Sequence, residues 1–338
     1  MRKYLGSIFI IISCLLSACS PSPHQQAAKK WMEKNGKIKT LSTTGMIGDL
    51  ISNIGGEHVD NFVLIGELLD PHSYQLVKGD DEKFAFAQLI FYNGLNLEHG
   101  PSLHAALENH PRASAIGDAI INNNPSQILH HNGQLDPHVW MDISLWSQAI
   151  PTIVNALSKF DPDHSQDYAK NGQKLKLEML AAHNRVKAKL HAIPSEKRYL
   201  VTSHDAFNYF SRAYLADESE LTNGTWEDRF AAPEGLAPDS QLGAGDIRKI
   251  IDHMDKYHIM VIFPESNVSK DSIRKIVSAG REKGLTLTIA TDALYGDAMG
   301  PKDSDGNTYL KMIEHNAVIL SRYLSGNGKE ERQAALLR

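Results

Sequence analysis

Apolar residues along this chain alternate between short continuous runs and sets spaced three and four apart, the pattern expected of parallel α/β construction. Ile38 to Ser42 reads as a strand, and Met46, Ile47, Leu50, Ile51 and Ile54 then recur at helical spacing until Gly55-Gly56 stops them. Phe62 to Ile65, Leu89 to Tyr92 and Ala113 to Ile116 predict three further strands, so the first half reads as one small α/β lobe. Between Asp161 and His191 no Pro follows Pro162 and only one Gly occurs. Leu175, Leu177, Met179 and Leu180 keep helical register there, which predicts one long helix. Strand-like runs restart at Tyr199 to Thr202, Met260 to Phe263 and Leu285 to Ala290. A last periodic set, Tyr309, Met312, Ile313, Val318, Ile319 and Tyr323, predicts a C-terminal helix ahead of a loose polar end.

The expected organisation is two α/β lobes, residues 37–160 and 192–326, joined by a helix over 161–191 and followed by a tail over 327–338. A length of 338 residues agrees, since one hydrophobic core rarely organises so long a chain. Ahead of the first lobe, Arg2 and Lys3 precede an apolar stretch from Tyr4 to Leu16, the layout of an export signal. It closes on Leu16-Ser17-Ala18-Cys19, which resembles the lipobox of bacterial lipoproteins. Residues 1–18 would then be a cleaved signal peptide and Cys19 the lipidated first residue of a periplasmic, membrane-anchored protein. Residues 19–36, with two Pro, paired Gln and several Lys, read as a flexible tether.

Composition narrows the chemistry. A formal net charge of -5 without any large basic block argues against a nucleic-acid partner, because phosphate binding needs clustered Lys and Arg. Apart from Cys19, the single other cysteine is Cys14, inside the signal, so the mature chain can form neither an internal disulfide nor a thiolate metal site. Any metal would have to be held by nitrogen and oxygen.

Four segments place potential ligands directly after a predicted strand or in a Pro-stiffened loop, where open α/β sheets bind ligands. Asp70-Pro71-His72 and Asp136-Pro137-His138 each present a His from a turn whose Pro fixes its own φ and pushes the preceding Asp out of helical conformation. Thr202-Ser203-His204-Asp205 ends the first strand of the second lobe, and Thr291 to Gly300, with Asp292 and Asp297, follows the last strand. Three neutral imidazoles and a carboxylate suit Zn(II), Mn(II) or Fe(II), not Cu(I). Periodicity does not choose between Asp292 and Asp297. Most of the sixteen histidines, including His58, His99, His104, His110, His164, His183, His253 and His258, read as ordinary solvated side chains.

Five segments in this order resemble the TroA-like periplasmic solute-binding proteins of zinc, manganese and iron ABC importers, with particular similarity to spirochaetal and chlamydial members. They are Leu69 to Tyr74, Leu89 to Glu98, Asp136 to Trp140, Thr202 to Phe210 and Leu294 to Gly300, and the likeness runs from about Lys37 to Leu324. The resemblance implies two (β/α) lobes joined by one long helix, with one divalent metal held in the cleft by His72, His138, His204 and Asp297. Asp292 becomes the runner-up, and Glu265 falls where relatives carry an acidic residue behind the ligands. It implies partners too: an ABC permease and its ATPase in the inner membrane, served by a monomeric carrier. Zinc-dedicated relatives often insert a long His- and acid-rich loop and carry a disulfide in the second lobe. This chain has only His130-His131-Asn132-Gly133 and no available cysteine pair, which favours the general TroA-like branch.

The implied work is capture and release of a divalent ion, not its chemical conversion. A secreted metallohydrolase would use the same His and Asp set to activate water, with Asp205 or Glu265 as general base. A surface adhesin or purely structural lipoprotein would instead hold no stoichiometric metal.

Overall fold

The computed structural model describes residues 22–67, 69–131, 133–238 and 242–325. The expected signal peptide, Cys19 and the tail over 327–338 lie outside the described residues. The N-terminal lobe is a parallel sheet of β1 (Ile38–Ser42), β2 (Val59–Val63), β3 (Leu89–Tyr92) and β4 (Ala113–Ala115), in the order β2-β1-β3-β4. Central β1 is buried along its whole length, as a parallel strand covered on both faces should be, and Leu41 stands between Phe62 and Ile90. The second strand begins three residues earlier than its apolar run suggests. Polar Asp60 and Asn61 can join the ladder because Lys39 pairs with Asp60 at 2.7 Å and the Thr40 hydroxyl donates to Asn61 at 2.9 Å.

A short antiparallel hairpin follows, β5 (His130–His131) with β6 (Gln134–Leu135). In the C-terminal lobe the strands shrink to two residues each: β7 (Leu200–Val201), β8 (Phe230–Ala231), β9 (Val261–Ile262) and β10 (Thr288–Ile289). β7 pairs parallel with β8 and β9 with β10, and the Phe263 amide donates to the Val201 carbonyl at 2.8 Å, setting β9 beside β7. The result is the α/β, mainly parallel, two-lobed architecture that the sequence predicts.

The long helix spans Ser165–His191, after a single 3-10 turn at Pro162–His164. At 1.5 Å per residue its 27 residues reach about 40 Å, enough to run behind both lobes. Its buried stripe is Tyr168, Gly172, Leu175, Met179, Ala182, Val186 and Leu190, spaced three and four apart. Leu177, which helical register alone would count among the apolar set, points outward and is 63% exposed. Gly172 lets the helix Ile150–Phe160 approach closely: a Cβ there would stand 2.7 Å from the Val154 methyl. The C-terminal helix, Tyr309–Leu324, packs on the same rod with Tyr309, Met312, Ile313 and Tyr323 inward, while Val318 faces out. One continuous apolar core therefore runs through both lobes, with a smaller core at each distal end.

The expected flexible tether needs correction over its middle, residues 23–31. Pro23–Trp31 is a helix, started by a Ser22–Gln25 capping box with Pro23 in its first turn. Ala28 and Trp31 bury one side of it against Phe62 and Phe86, and the Trp31 indole donates to the Asp60 carbonyl at 2.9 Å. Composition suggested a tether because polar and basic residues dominate the stretch; the two residues that dock it are few but well spaced.

Candidate metal centre

His72, His138, His204 and Asp297 meet between the lobes, and one ligand atom from each lies within 4.8 Å of all the others. None is more than 3% exposed. His72 Nε2 stands 3.3 Å from His138 Nε2 and 3.4 Å from Asp297 Oδ2. Asp297 Oδ1 is 3.4 Å from His138 Nε2, and its Oδ2 is 3.0 Å from His204 Nε2. Four donors each 2.0–2.1 Å from a common centre would stand about 3.3 Å apart at the corners of a tetrahedron. The four contacts of 3.0–3.4 Å match that separation, and the cluster as a whole, within 4.8 Å, has the dimensions to close on a first-row divalent ion.

Local structure explains how each side chain arrives. Asp70 Oδ1 accepts from the His72 amide at 2.9 Å, and Asp136 Oδ1 accepts from the His138 amide at 3.0 Å, so both Asp-Pro-His segments fold as side-chain-capped turns. Asp136 Oδ1 also lies 2.7 Å from His138 Nδ1, which directs the Nδ1 proton to the carboxylate and leaves Nε2 free for a metal. Asp136 is itself held from the other lobe, by Asn208 Nδ2 at 3.0 Å on its carboxylate and the Tyr209 hydroxyl at 3.0 Å on its carbonyl.

His204 follows β7, where Glu265 receives it. Glu265 Oε1 accepts from the amides of Ser203 and His204 at 3.0 and 2.9 Å, while Oε2 lies 2.7 Å from His204 Nδ1. That last contact is close but poorly aligned for a hydrogen bond, so it acts mainly as a charge contact. Asp297 follows Gly296, where a Cβ would come within 2.4 Å of Glu265 Oε2; only glycine lets this loop pass so close to the carboxylate.

The electrostatics favour a cation. Burial pushes the His72 imidazole below its ordinary range. Burial would lower His204 too, but the charges of Glu265 and Asp297 outweigh it and hold that imidazolium well above the usual value. Burial alone would raise Asp297, yet the adjacent His204 charge keeps its carboxyl well below the usual carboxylate range. Both carboxylate oxygens of Asp297 and both ring nitrogens of His204 nevertheless lack an aligned hydrogen-bond partner although fully buried. Such groups are costly to bury unless something coordinates them. A divalent ion would satisfy Asp297 and His204 Nε2 together, leaving His204 Nδ1 to the charge of Glu265.

The remaining sequence candidates lie apart from this cluster. Asp292 is partly exposed and pairs with Arg322 at 2.6 Å. Asp205 faces His131 at 3.2 Å and Asn208, and burial pushes its carboxyl up to about 6. Residue-type reasoning overlooked Trp140, Asn208 and Tyr209 as parts of the site. Trp140 closes the Asp136-to-Trp140 segment and was visible only as motif context, since its partner, the Gly296 carbonyl, is 156 residues away.

Comparison with known proteins places these features in a lineage. The family model for the periplasmic zinc-uptake complex component A matches residues 41–323. The metal-binding protein YtgA of Chlamydia trachomatis is 36% identical over 96% of this chain and 97% of its own length. The manganese-binding lipoprotein MntA of Bacillus subtilis is 32% identical over 96% of this chain and all of its own. Among solved structures, Fe(III)-bound YtgA from C. trachomatis superposes with a TM-score of 0.80, covering 85% of this chain and 98% of that one. The periplasmic zinc-binding protein TroA from Treponema pallidum superposes with a TM-score of 0.77 at 30% identity, over 86% of this chain and all of that one.

Proposed function

This chain belongs to the family of periplasmic zinc-uptake component A proteins, and we propose that it performs that family's task through a cage of His72, His138, His204 and Asp297. It is the extracytoplasmic substrate-binding subunit of a metal ABC importer, which captures manganese, zinc or iron and delivers it to a membrane permease. The observation that carries the assignment of ligands is the mutual spacing of four buried donor atoms contributed by both lobes.

Capture follows from the donor set. The cation sheds water against three imidazole nitrogens and a carboxylate whose supporting partners already point them inward, so little reordering is left to oppose binding. The proton on His204 holds the place of positive charge until the metal displaces it. Delivery requires the opposite: a permease must favour a lobe arrangement in which some of these donors withdraw, because a ligand with equal affinity for both arrangements shifts neither.

A carrier role, rather than hydrolysis, is supported by what surrounds the site. The two carboxylates that would serve as general base are otherwise engaged, Glu265 with His204 and two amides and Asp205 with His131 and Asn208. We further propose lipid anchoring at Cys19 in the periplasm, a monomeric carrier, and an ATPase driving the permease. Elemental analysis of purified protein is the test. One equivalent of divalent metal is expected in the native chain and far less in the His72→Ala and Asp297→Ala variants; a variant that keeps a full equivalent refutes the ligand assignment.

A further inference from the structure

Among the hydrogen bonds that cross the seam between the lobes beside the metal cage, two involve Trp140. Its indole Nε1 donates to the Gly296 carbonyl at 3.0 Å, and its own carbonyl accepts from the Tyr309 hydroxyl at 2.6 Å. Trp140 lies two residues after His138, and Gly296 immediately precedes Asp297. The indole ring also meets the His138 ring edge-on at 5.3 Å. Trp140 is 1% exposed and Tyr309 wholly buried, so neither bond is shared with bulk solvent. On its other side Gly296 abuts Glu265, leaving the peptide ahead of Asp297 wedged between the Glu265 carboxylate and the Trp140 indole.

We infer that Trp140 and Tyr309 are positioning residues, a reciprocal latch that fixes the distance between His138 and Asp297 and so sets the rate of metal release. The inference rests on the ligand assignment proposed above. No ligand needs to change for the cage to loosen: when the seam parts, the Gly296 carbonyl leaves Trp140 and Asp297 moves away from His138 with it. The latch also explains why an aromatic residue with a donor at its edge stands here, where an apolar ring would pack equally well.

A built-in control separates this role from ordinary packing. Trp146 is wholly buried in the same aromatic group, 6.4 Å from both Trp140 and Tyr309, yet its Nε1 has no hydrogen-bond partner among the described residues. Trp146→Phe therefore trims the same atoms as Trp140→Phe without removing a bond. The full-length protein is loaded with zinc, and release to excess chelator is followed by stopped flow beside thermal unfolding of the metal-free forms. Trp140→Phe and Tyr309→Phe should each speed release roughly two- to tenfold, the range that a buried neutral hydrogen bond commands. The double variant should exceed the faster single by less than the product of the two effects. Trp146→Phe should release within about twofold of the native protein whatever its melting temperature.

Native release rates in both Trp140→Phe and Tyr309→Phe overturn the latch, as do fully multiplicative effects or an equal acceleration in Trp146→Phe. Failure of the native protein to load zinc, manganese or iron at all would instead sink the ligand assignment, and the latch with it.

Discussion

In the N-terminal lobe, His72 and His138 each sit two residues after an Asp whose carboxylate caps the His amide, so the turn that presents the ligand is assembled within three residues. In the C-terminal lobe, His204 is fixed by Glu265, sixty-one residues further along, and Asp297 follows a glycine pressed against that same carboxylate. The strands differ likewise: β1 pairs over five residues on one side, whereas every strand of the C-terminal lobe has two. One half of the cage is built locally and stiffly, the other from distant pieces. A carrier that must both hold and yield its ion benefits from such asymmetry, since the half built from tertiary contacts is the one that can be withdrawn.

The coarsest way to break the comparison is to remove ligands from either half. Structural metal sites contribute about 10–16 kcal/mol, so each of four ligands carries about 3–4 kcal/mol, and its loss should weaken binding roughly a hundred- to thousandfold. His72→Ala and Asp297→Ala should both fall in that range by chelator competition. If one loses nothing, the cage does not span the lobes. A finer contrast comes from the supporting carboxylates, where Asp136→Asn and Glu265→Gln should each cost about 10- to 100-fold in affinity. Glu265→Gln is expected to cost more, because Glu265 supports both C-terminal ligands and Asp136 only His138. A larger loss in Asp136→Asn would reverse the proposed division.

The same asymmetry explains how much was legible from sequence. The Asp-Pro-His turns announce themselves because the residues that stiffen them are neighbours, and β1, β3 and the long helix were readable because buried runs and three-four spacing are local patterns. Glu265 and Asp297 came from family likeness, since no local pattern ties either to a histidine far away, and nothing local separated Asp297 from Asp292. Trp140 was missed as a functional group for that reason, its two partners being 156 and 169 residues distant. The docked helix Pro23–Trp31 was missed because two buried residues among polar ones leave too weak a period.

Protons should test the comparison next. Metal binding requires all three imidazoles neutral. Glu265 and Asp297 raise the His204 pKa, so as pH falls this imidazole is the first to protonate; burial lowers His72, which resists until more acidic pH. Above the raised value of His204 no proton competes, and below it each displaced proton costs about tenfold in affinity per pH unit. Affinity should therefore decline by about one decade per unit around neutrality and more steeply in acid. Calorimetry in buffers of different ionisation enthalpy should count close to one proton released per metal near neutral pH. In Glu265→Gln the count should fall below one, because the Glu265 charge no longer helps Asp297 hold the proton on His204; an unchanged count would mean that Asp297 alone holds it.

The smallest effect expected on the metal comes from the rod that joins the lobes. Gly172 faces Val154 and Ile150 at 2.7 and 3.1 Å from where a Cβ would lie, so Gly172→Ala must shift the helix Ile150–Phe160 or bend the rod. Overpacking of this kind costs about 1–3 kcal/mol, offset by the near 1 kcal/mol that alanine gains over glycine inside a helix. Stability to urea should fall by about 0–2 kcal/mol on that balance. The site lies in loops at the sheet ends, and its closest restraints are the Asp136, Glu265 and Trp140 contacts, none of which touches Gly172. Metal affinity should consequently stay within about twofold, equivalent to about 0.4 kcal/mol. A tenfold loss of affinity in this variant would mean that the rod, and not the local carboxylates and the seam, sets the separation of the two halves of the cage.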